Sequence, residues 1–351
     1  MKIALTSDHH HHPYPAFAST LANGMNSRVA EMLAVERSLQ QIMQTQGVVV
    51  HLRGGDLYDR KNQIDAVVWS EVAHVLEENG KLGIEEVILK GNHDLAAGGV
   101  RNSLEALAIL KNVRVIPMAQ QIAFGSTMVT FVPYDDDPAI QRQWIDDVVL
   151  PQQQFNMLLA HVQIRGAKSG SEYVMPGNLG TDDLRLDDFD RVWCGHVHEP
   201  QVLTKTCEYI GSLTQRAFTD EGRRRRVVIF DTEKMSHEEI ALPGPLFVTL
   251  KIDSLEELQA VAVGADTYYH LKVCSDAIKL RAVDAKFDGQ CLGWTTTFEV
   301  AGPVTAPRLS PTLTKWPDII AAYVQQGETT LDKARLLTVG LGIAGETSGT
   351  A

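Results

Sequence analysis

Eight side chains of types that can bind metals or transfer protons lie at or just after apolar runs of the sequence. They are carboxylates, an amide and imidazoles: Asp8, His10, Asp56, Asn92, His93, His161, His196 and His198. This mixture without thiolates favours Mn²⁺, Fe²⁺ or Mg²⁺, and Zn²⁺ remains an option. The ligands exceed what one ion needs, and a carboxylate can bridge two ions about 3.5–4 Å apart. The set therefore predicts two divalent metal ions, although each histidine taken alone fits an ordinary buried or surface group.

The tetrapeptide Gly91-Asn92-His93-Asp94 follows the apolar run Val87-Ile88-Leu89. Loops at strand ends are where α/β proteins place their sites, because the sheet holds polar groups rigidly. By itself the tetrapeptide fits a capped turn equally well. Two earlier apolar runs, at 2–6 and 48–52, also end on carboxylates, Asp8 and Asp56. Three consecutive strand ends with metal-type ligands favour a site over a capped turn.

The run His9-His10-His11-His12 looks like a purification tag, but tags lie at a terminus outside the fold. Here the histidines follow a predicted strand directly. Asp8 and His10 are two residues apart and can project from one face of that strand. We predict that Asp8 and His10 are functional. His9, His11 and His12 are predicted either to face solvent or to contact the ligand residues without binding a metal themselves.

Apolar periodicity predicts alternating strands and helices in the first part of the chain. Strands are predicted at 2–6, 48–52 and 85–89, and helices at 26–46, 64–79 and 102–110. This βαβαβ layout implies parallel strands with right-handed crossovers. Shorter strands follow at 113–116, 121–124, 128–132, 156–160, 192–194 and 226–230, with a helix at 139–149 and a mobile loop at 166–181.

The segment Pro243-Gly244-Pro245 marks a break in the chain. Residues 1–242 are predicted to form one α/β domain, and residues 243–300 a smaller α+β unit. Residues 301–351 are predicted to hold a Pro- and Thr-rich linker, short helices at 317–325 and 330–339, and a disordered tail after Gly340. Helices of this length are marginal alone, so we expect them to dock on another surface.

The composition is that of an ordinary globular protein. With 351 residues and 44% hydrophobic content, the chain can build a sizeable core. A net charge of −12 argues against a protein that coats nucleic acid through its overall positive charge. It does not exclude a nuclease, because carboxylates that hold divalent cations contribute negative formal charge that the metals offset. The four scattered cysteines indicate a reducing compartment. No apolar run approaches the roughly 20 residues of a membrane helix. We therefore predict a cytoplasmic protein without a membrane association.

The ordered motifs of residues 1–200 resemble the five motifs of the calcineurin-like metallophosphoesterases. They are Asp8-x-His10, Gly55-Asp56, Gly91-Asn92-His93-Asp94, His161 and Gly195-His196-x-His198. The resemblance implies an α/β four-layer sandwich of two mixed sheets flanked by helices, with residues 243–300 as a capping domain. It also implies one metal on Asp8, His10 and His198, a second on Asn92, His161 and His196, and Asp56 bridging. His93 is then the catalytic imidazole that assists the leaving oxygen, oriented by Asp94.

Within that superfamily the chain is more similar to Mre11/SbcD-type DNA nuclease subunits than to Ser/Thr protein phosphatases. The segment Gly55-Asp56-Leu57-Tyr58-Asp59 is similar to the Gly-Asp-Leu-Phe-Asp of these nucleases, and Tyr209-Ile210-Gly211-Ser212 resembles the end of their catalytic domain. The resemblance implies a DNA exo- and endonuclease of repair, recombination or replication. Among the metals that the donor types favour, we predict Mn²⁺. The implied partners are DNA, an SMC-like ATPase bound by the C-terminal helices, and a second copy of the chain.

Several alternatives stay open at this point. A small-molecule or cyclic-nucleotide phosphodiesterase, with the capping domain closed over the metals, is the alternative activity. A binding protein with a vestigial site is a third hypothesis. The run Arg223 to Arg226 fits either contacts with DNA phosphates or a charged hairpin edge that discourages strand pairing. Asp59 stands where some of the nucleases have a second catalytic histidine, so its role is also open.

Overall fold

The computed structural model describes residues 1–96, 101–152, 154–169, 173–177, 179–275, 277–299, 316–326 and 332–347. The predicted linker at 301–314 lies outside the described residues, as do residues 170–172 and 178 of the predicted mobile loop. The chain divides into two compact units, Met1–Val273 with Ala277–Phe298, and Cys274–Asp276 with Glu299–Ala351.

The regular elements follow the predicted alternation closely. The strands are β1 Lys2–Thr6, β2 Val48–Arg53, β3 Glu85–Leu89, β4 Val113–Ile116, β5 Gln120–Phe124, β6 Thr127–Val132, β7 Phe155–His161, β8 Lys168–Ser169, β9 Tyr173–Val174, β10 Arg191–Gly195, β11 Gln201–Val202, β12 Cys207–Tyr209, β13 Arg226–Asp231, β14 Ser236–Ala241, β15 Leu246–Ile252, β16 Thr267–Val273 and β17 Gly293–Phe298. The α-helices are α1 Ser27–Gln46, α2 Ala66–Lys81, α3 Pro138–Asp146, α4 Leu255–Ala260, α5 Leu280–Phe287, α6 Trp316–Gln326 and α7 Lys333–Thr347.

Two six-stranded mixed sheets form the body of the first unit. The first has the order β14-β13-β1-β2-β3-β4, and its strands β1 to β4 are parallel. The second has the order β11-β12-β10-β7-β6-β5, and it is antiparallel only where β11 and β5 form its edges. Both sheets therefore contain a run of adjacent parallel strands, whose carboxyl ends lie at one edge.

The two sheets pack face to face over one apolar core. Leu5 and Val50 enter it from the first sheet, and Phe131 and Trp193 from the second. Separate apolar clusters join the outer faces to α1 and α2 on one side and to α3 on the other. The predicted α/β sandwich of two mixed sheets flanked by helices is confirmed.

The ends of the two long helices follow their capping residues. In α1, the Asn26 side chain accepts from the second and third N–H groups of the helix, and Gly47 closes it with φ 70°. Asp65 caps α2 in the same way, so α2 begins two residues later than the predicted Ile64. It ends at Lys81, two residues past the predicted end at residue 79, because Gly80 continues the helix.

The predicted helix at 102–110 is a short 3-10 helix, Glu105–Ile109. Its cap residue Leu110 is already extended, with ψ 127°. A helix of this length gains little stability from its own hydrogen bonds, so its helical pattern alone does not hold the segment as an α-helix.

A small parallel sheet of β15, β16 and β17 packs with α4 and α5 in the first unit. Arg28 of α1 anchors this sheet, because its guanidinium lies 4.6 Å from the Tyr268 ring centroid and 5.0 Å from that of Phe247. In the second unit, α6 and α7 pack on each other, and α7 continues past Gly340, where we predicted disorder. Among the described residues, no helix combines the length and apolar character needed to cross a bilayer.

Candidate metal centre

The metal-type side chains meet because they follow adjacent parallel strands. Asp8, Asp56 and Asn92 come after β1, β2 and β3 of the first sheet, while His161 ends β7 and His196 follows β10 of the second. Parallel neighbours present their carboxyl ends at the same edge. The structure accordingly brings all eight predicted side chains into one group of contacts.

One cluster consists of Asp8, His10 and His198. The Nε2 atoms of His10 and His198 lie 3.1 Å apart, and His10 Nε2 lies 3.9 Å from Asp8 Oδ1. Asp8 is fully buried, whereas the His198 side chain keeps 19% of its surface exposed. The cluster therefore has a buried base and an accessible side.

The second cluster consists of Asp56, His161 and His196, and Asn92 joins it. Asn92 Oδ1 lies 3.0 Å from His161 Nε2 and 2.7 Å from His196 Nδ1. His161 Nδ1 lies 2.7 Å from the main-chain oxygen of Gly54. Because a carbonyl oxygen only accepts, Nδ1 carries the proton, and Nε2 is left as the ligand atom.

Asp56 stands between the two clusters. Its Oδ2 atom lies 3.5 Å from His10 Nε2 and 3.5 Å from His161 Nε2. Its Oδ1 atom accepts from the main-chain N–H of His93 at 2.8 Å. A carboxylate in this position can reach an ion in either cluster.

Four of the site residues have left-handed backbone conformations. The φ angles are 54° at Asp8, 50° at His10, 55° at Asp56 and 97° at His196. Such conformations cost a non-glycine residue about 1–3 kcal/mol and concentrate at functional sites. The loops are thus held in turns that direct the ligands inward. Gly91 permits the close approach, because a Cβ atom there would overlap the Asp56 carboxylate.

The charges of the site fit divalent cations. Asp8 and Asp56 are buried carboxylates, and a buried carboxylate without a cation costs several kcal/mol. Although burial opposes it, the Asp56 carboxylate raises the pKa of His161 to about 9, so this pocket attracts positive charge. Oxygen and imidazole donors without thiolate suit divalent metals. Asp8, His10 and His198 could hold one ion, and Asn92, His161 and His196 a second, with Asp56 within reach of both.

Comparison with known proteins identifies the family of this chain. A family model described as calcineurin-like phosphoesterase matches residues 1–200, more than half of the chain. The chain belongs to the calcineurin-like phosphoesterase family. It is therefore a hydrolase of phosphoester bonds, and the family's use of divalent metals agrees with the two clusters.

The phosphoesterase is also similar to a curated relative and to solved structures. The relative is the SbcD component of the nuclease SbcCD from Staphylococcus saprophyticus, with 24% identity over 272 residues that cover 69% of each chain. An archaeal phosphodiesterase structure shares 15% identity and a TM-score of 0.37, over 69% of this chain and 100% of that one. The nuclease MPE of Pseudomonas putida shares 12% identity and a TM-score of 0.32, over 68% of this chain and 87% of that one.

His93 of the phosphoesterase lies beside both clusters and is partly exposed. Its ring is 4.7 Å from that of His10, and its Nδ1 atom lies 2.7 Å from the main-chain oxygen of Asp59. Nδ1 must donate to that carbonyl, so the Nε2 lone pair is available to the site. His93 can therefore exchange a proton with a bound substrate, and its nearness to Asp56 also makes it a potential ligand.

Asp94 has different partners from those we predicted. Its Oδ2 atom accepts from the main-chain N–H groups of Asp56 and Gly91, each at 2.9 Å, and Oδ1 faces the Tyr58 N–H at 3.5 Å. Within the described part of the chain, it makes no hydrogen bond to His93, which the Asp59 carbonyl orients instead. Asp94 is fully buried while His93 is partly exposed, so this turn directs the neighbouring side chains apart. Asp94 positions the Asp56 loop.

Replacing Asp94 by alanine should lower the free energy of unfolding by at least about 2 kcal/mol. Two buried N–H groups lose their acceptor, and each such loss costs about 1–3 kcal/mol. Urea unfolding measures the change, and calorimetric titration with Mn²⁺ should show weaker binding because the Asp56 loop loosens. Asp94→Asn is the matched control, since its remaining oxygen can still accept from both N–H groups. Equal stability of Asp94→Ala and wild type would contradict this role.

Three side chains near His198 and His10 were missed by the sequence analysis or left without a role. The Arg216 guanidinium lies 2.8 Å from His198 Nδ1 and 3.0 Å from Asp59 Oδ1. The Tyr14 hydroxyl donates to the same Asp59 oxygen at 3.0 Å. Asp59 Oδ1 also lies 3.4 Å from His10 Nδ1, so it supports that imidazole from behind. Only the spacing of Asp59 after Asp56 is a sequence signal, because Tyr14 and Arg216 belong to none of the quoted motifs although each follows one by four residues.

The neighbouring histidines of the four-histidine run have separate environments. His9 and His11 are buried, and their ring nitrogens lie 2.7 and 2.9 Å from Glu36 Oε1. They therefore support the Asp8–His10 turn, and of the three only His12 is partly exposed. Although His9, His11 and Glu36 group like metal ligands, Arg53 Nη1 lies 2.9 Å from that carboxylate oxygen. The guanidinium already supplies the positive charge there.

Proposed function

We propose that this phosphoesterase is a two-metal-dependent DNA nuclease that hydrolyses phosphodiester bonds. We further propose that it is the catalytic component of an ATPase–nuclease complex acting in DNA repair, recombination or replication. The observation that carries the activity is the pair of donor clusters that share Asp56, with His93 beside them.

Each group has a distinct part in the proposed reaction. When bound, the two ions would polarise the phosphoester and activate water for attack on phosphorus. Asp8, His10 and His198 on one side and Asn92, His161 and His196 on the other would fix their positions. His93, after taking up a second proton on Nε2 from solvent, would give that proton to the leaving oxygen, while its Nδ1–H stays on the Asp59 carbonyl. Arg216 orders the accessible rim by contacts with His198 and Asp59.

Two features favour DNA as the substrate. The relative from Staphylococcus saprophyticus is part of a nuclease, and its similarity extends over 272 residues, beyond the 200 that the family model matches. Asn92, His93, His196 and His198 are also each partly exposed, so the described face of the site is accessible to a bulky substrate. The donor types favour Mn²⁺ as the ion.

The C-terminal helices are our candidate for the ATPase-binding element. In the described parts of α6 and α7, no side chain is fully buried, and the apolar Tyr323 and Val339 are 56% and 55% exposed. Short helices gain stability when their apolar side is covered. The relative from Staphylococcus saprophyticus is one component of the nuclease SbcCD, which has more than one kind of chain. An SMC-like ATPase is the partner we propose.

Linear duplex and single-stranded DNA should be degraded in the presence of Mn²⁺, and excess EDTA should abolish the reaction. The assay measures release of labelled nucleotides, with and without a co-expressed SMC-like ATPase. Asp56→Asn is the control for contaminating nucleases, since it removes the carboxylate that both clusters share. Turnover of small phosphodiesters without DNA cleavage under any divalent metal would overturn the proposal in favour of a small-molecule phosphodiesterase.

A further inference from the structure

A cleft of about 540 Å³ lies between the start of β13 and the strand β15. The consecutive residues Arg223 to Arg226 line it, together with the carboxylates of Glu221 and Glu239 and apolar side chains that include Phe247. We call it the arginine cleft. Four adjacent cations are unusual on a chain whose net charge is −12. The counter-charges around each arginine therefore decide what the cleft can bind.

Two of the four arginines are committed to structural ion pairs. Arg223 Nη1 lies 2.6 Å from Asp220 Oδ1, and Arg226 pairs with Glu208 at 3.0 Å and also with Glu239. Arg226 is buried. These pairs hold the loop and the start of β13 in place, and they leave little charge available for a ligand.

The other two arginines retain their charge for the cleft. Arg225 is half-buried, yet its one acceptor among the described residues is the Pro245 carbonyl at 2.7 Å, and no described carboxylate pairs with it. Burial lowers the pKa of Arg225, as expected for a cation that has lost water without gaining a counter-ion. Arg224 is 73% exposed, and Glu239 lies 3.8 Å away. An anion in the cleft would offset the cost of burying Arg225.

The cleft and the metal centre share one loop. Gln215 lines the cleft and bonds across it, accepting from the Phe247 N–H and donating to the Arg223 carbonyl, both at 2.9 Å. The next residue, Arg216, contacts His198 of the first cluster. Asp220, the partner of Arg223, lies 3.8 Å from His198 Nδ1. The loop that lines the cleft thus also contacts His198 of the metal centre.

We propose that the arginine cleft binds the phosphodiester backbone of the nucleic-acid substrate next to the bond that is cleaved. Arg224 and Arg225 donate to phosphate oxygens, for which a guanidinium is well shaped. The apolar lining accommodates the sugars. This inference rests on the proposed nuclease function and adds the path of the strand away from the metals.

The test compares kcat/KM for a labelled oligonucleotide with kcat/KM for bis(4-nitrophenyl) phosphate, both with Mn²⁺. In Arg225→Gln and in Arg224→Gln, the ratio of the two should fall about tenfold, because each loses a charged hydrogen bond to phosphate. The slope of the logarithm of the oligonucleotide binding constant against the logarithm of the salt concentration should become less negative by about 0.7–0.9 for each arginine removed. Arg225→Lys, which keeps the charge, should restore most of the salt dependence.

Arg114→Gln is the matched control, since Arg114 lies on β4, at the opposite edge of the sheet from β13 and β14. It should leave the ratio and the salt dependence at wild-type values. Thermal melting checks the fold, and the exposed Arg224 keeps the test valid if Arg225→Gln melts early. Wild-type ratios and salt slopes in both cleft variants would overturn the inference while the nuclease proposal stands. A wild type that turns over the small diester but no oligonucleotide would overturn the nuclease proposal itself.

Discussion

Replacing His93 by alanine is expected to lower kcat for phosphodiester hydrolysis by about 10²–10⁴-fold while both ions stay bound. His93 donates Nδ1–H to the Asp59 carbonyl at 2.7 Å, which leaves Nε2 facing the site as the proton-transfer atom. The ligands Asp8, His161, His196 and Asn92 make their contacts with one another without it. The loss should therefore appear in kcat and leave the metal content unchanged.

Parallel measurements of turnover and of bound Mn²⁺ by elemental analysis separate the two roles that the geometry allows. His74→Ala is the control, because His74 is an exposed histidine of α2. A variant that loses one ion along with activity would make His93 a ligand, in line with its proximity to His10 and Asp56. Retained activity would overturn its proposed role altogether.

Replacing Arg53 by methionine is expected to lower the free energy of unfolding by about 3–5 kcal/mol. This is the usual cost of removing one partner of a buried ion pair, because the other partner stays buried and charged. Arg53 is 1% exposed and bonds to Glu36 at 2.9 and 3.1 Å and to Glu86 at 2.8 Å. Without the guanidinium, two fully buried carboxylates lose their counter-charge. His9, which shares Glu36 with Arg53, links this loss to the Asp8–His10 turn.

Urea unfolding of the full chain measures this effect. Lys81→Met is the matched control, because Lys81 pairs with Glu77 on an exposed helix face, where such pairs contribute about 0–1 kcal/mol. Adding Glu36→Gln to Arg53→Met should recover part of the free energy of unfolding, since it removes one of the two buried carboxylates that have lost their counter-charge. A loss below about 1 kcal/mol in Arg53→Met would contradict the argument.

Most of the fold could be predicted from local patterns. Continuous apolar runs such as Val48-Val49-Val50 identified the parallel strands, and the helix predicted at 26–46 agrees with α1 to within one residue at each end. These signals work because capping and strand burial depend on neighbouring residues. They failed at 102–110, where the segment is too short for its helical pattern to determine the outcome.

The candidate ligands were also within reach of sequence analysis, because parallel strands that end in polar residues must deliver them to one edge. The sequence by itself thus determined which residues could form the metal centre. Only the tertiary structure decided which atoms meet there. The Asp8 carboxylate accepts from the main-chain N–H of His196, 188 positions away, and Arg216 reaches Asp59 across 157 positions. Such contacts depend on how distant loops pack, and no local spacing specifies them. For the same reason we predicted that Asp94 orients its neighbour His93, whereas in the structure its carboxylate accepts a hydrogen bond from the main-chain N–H of Asp56.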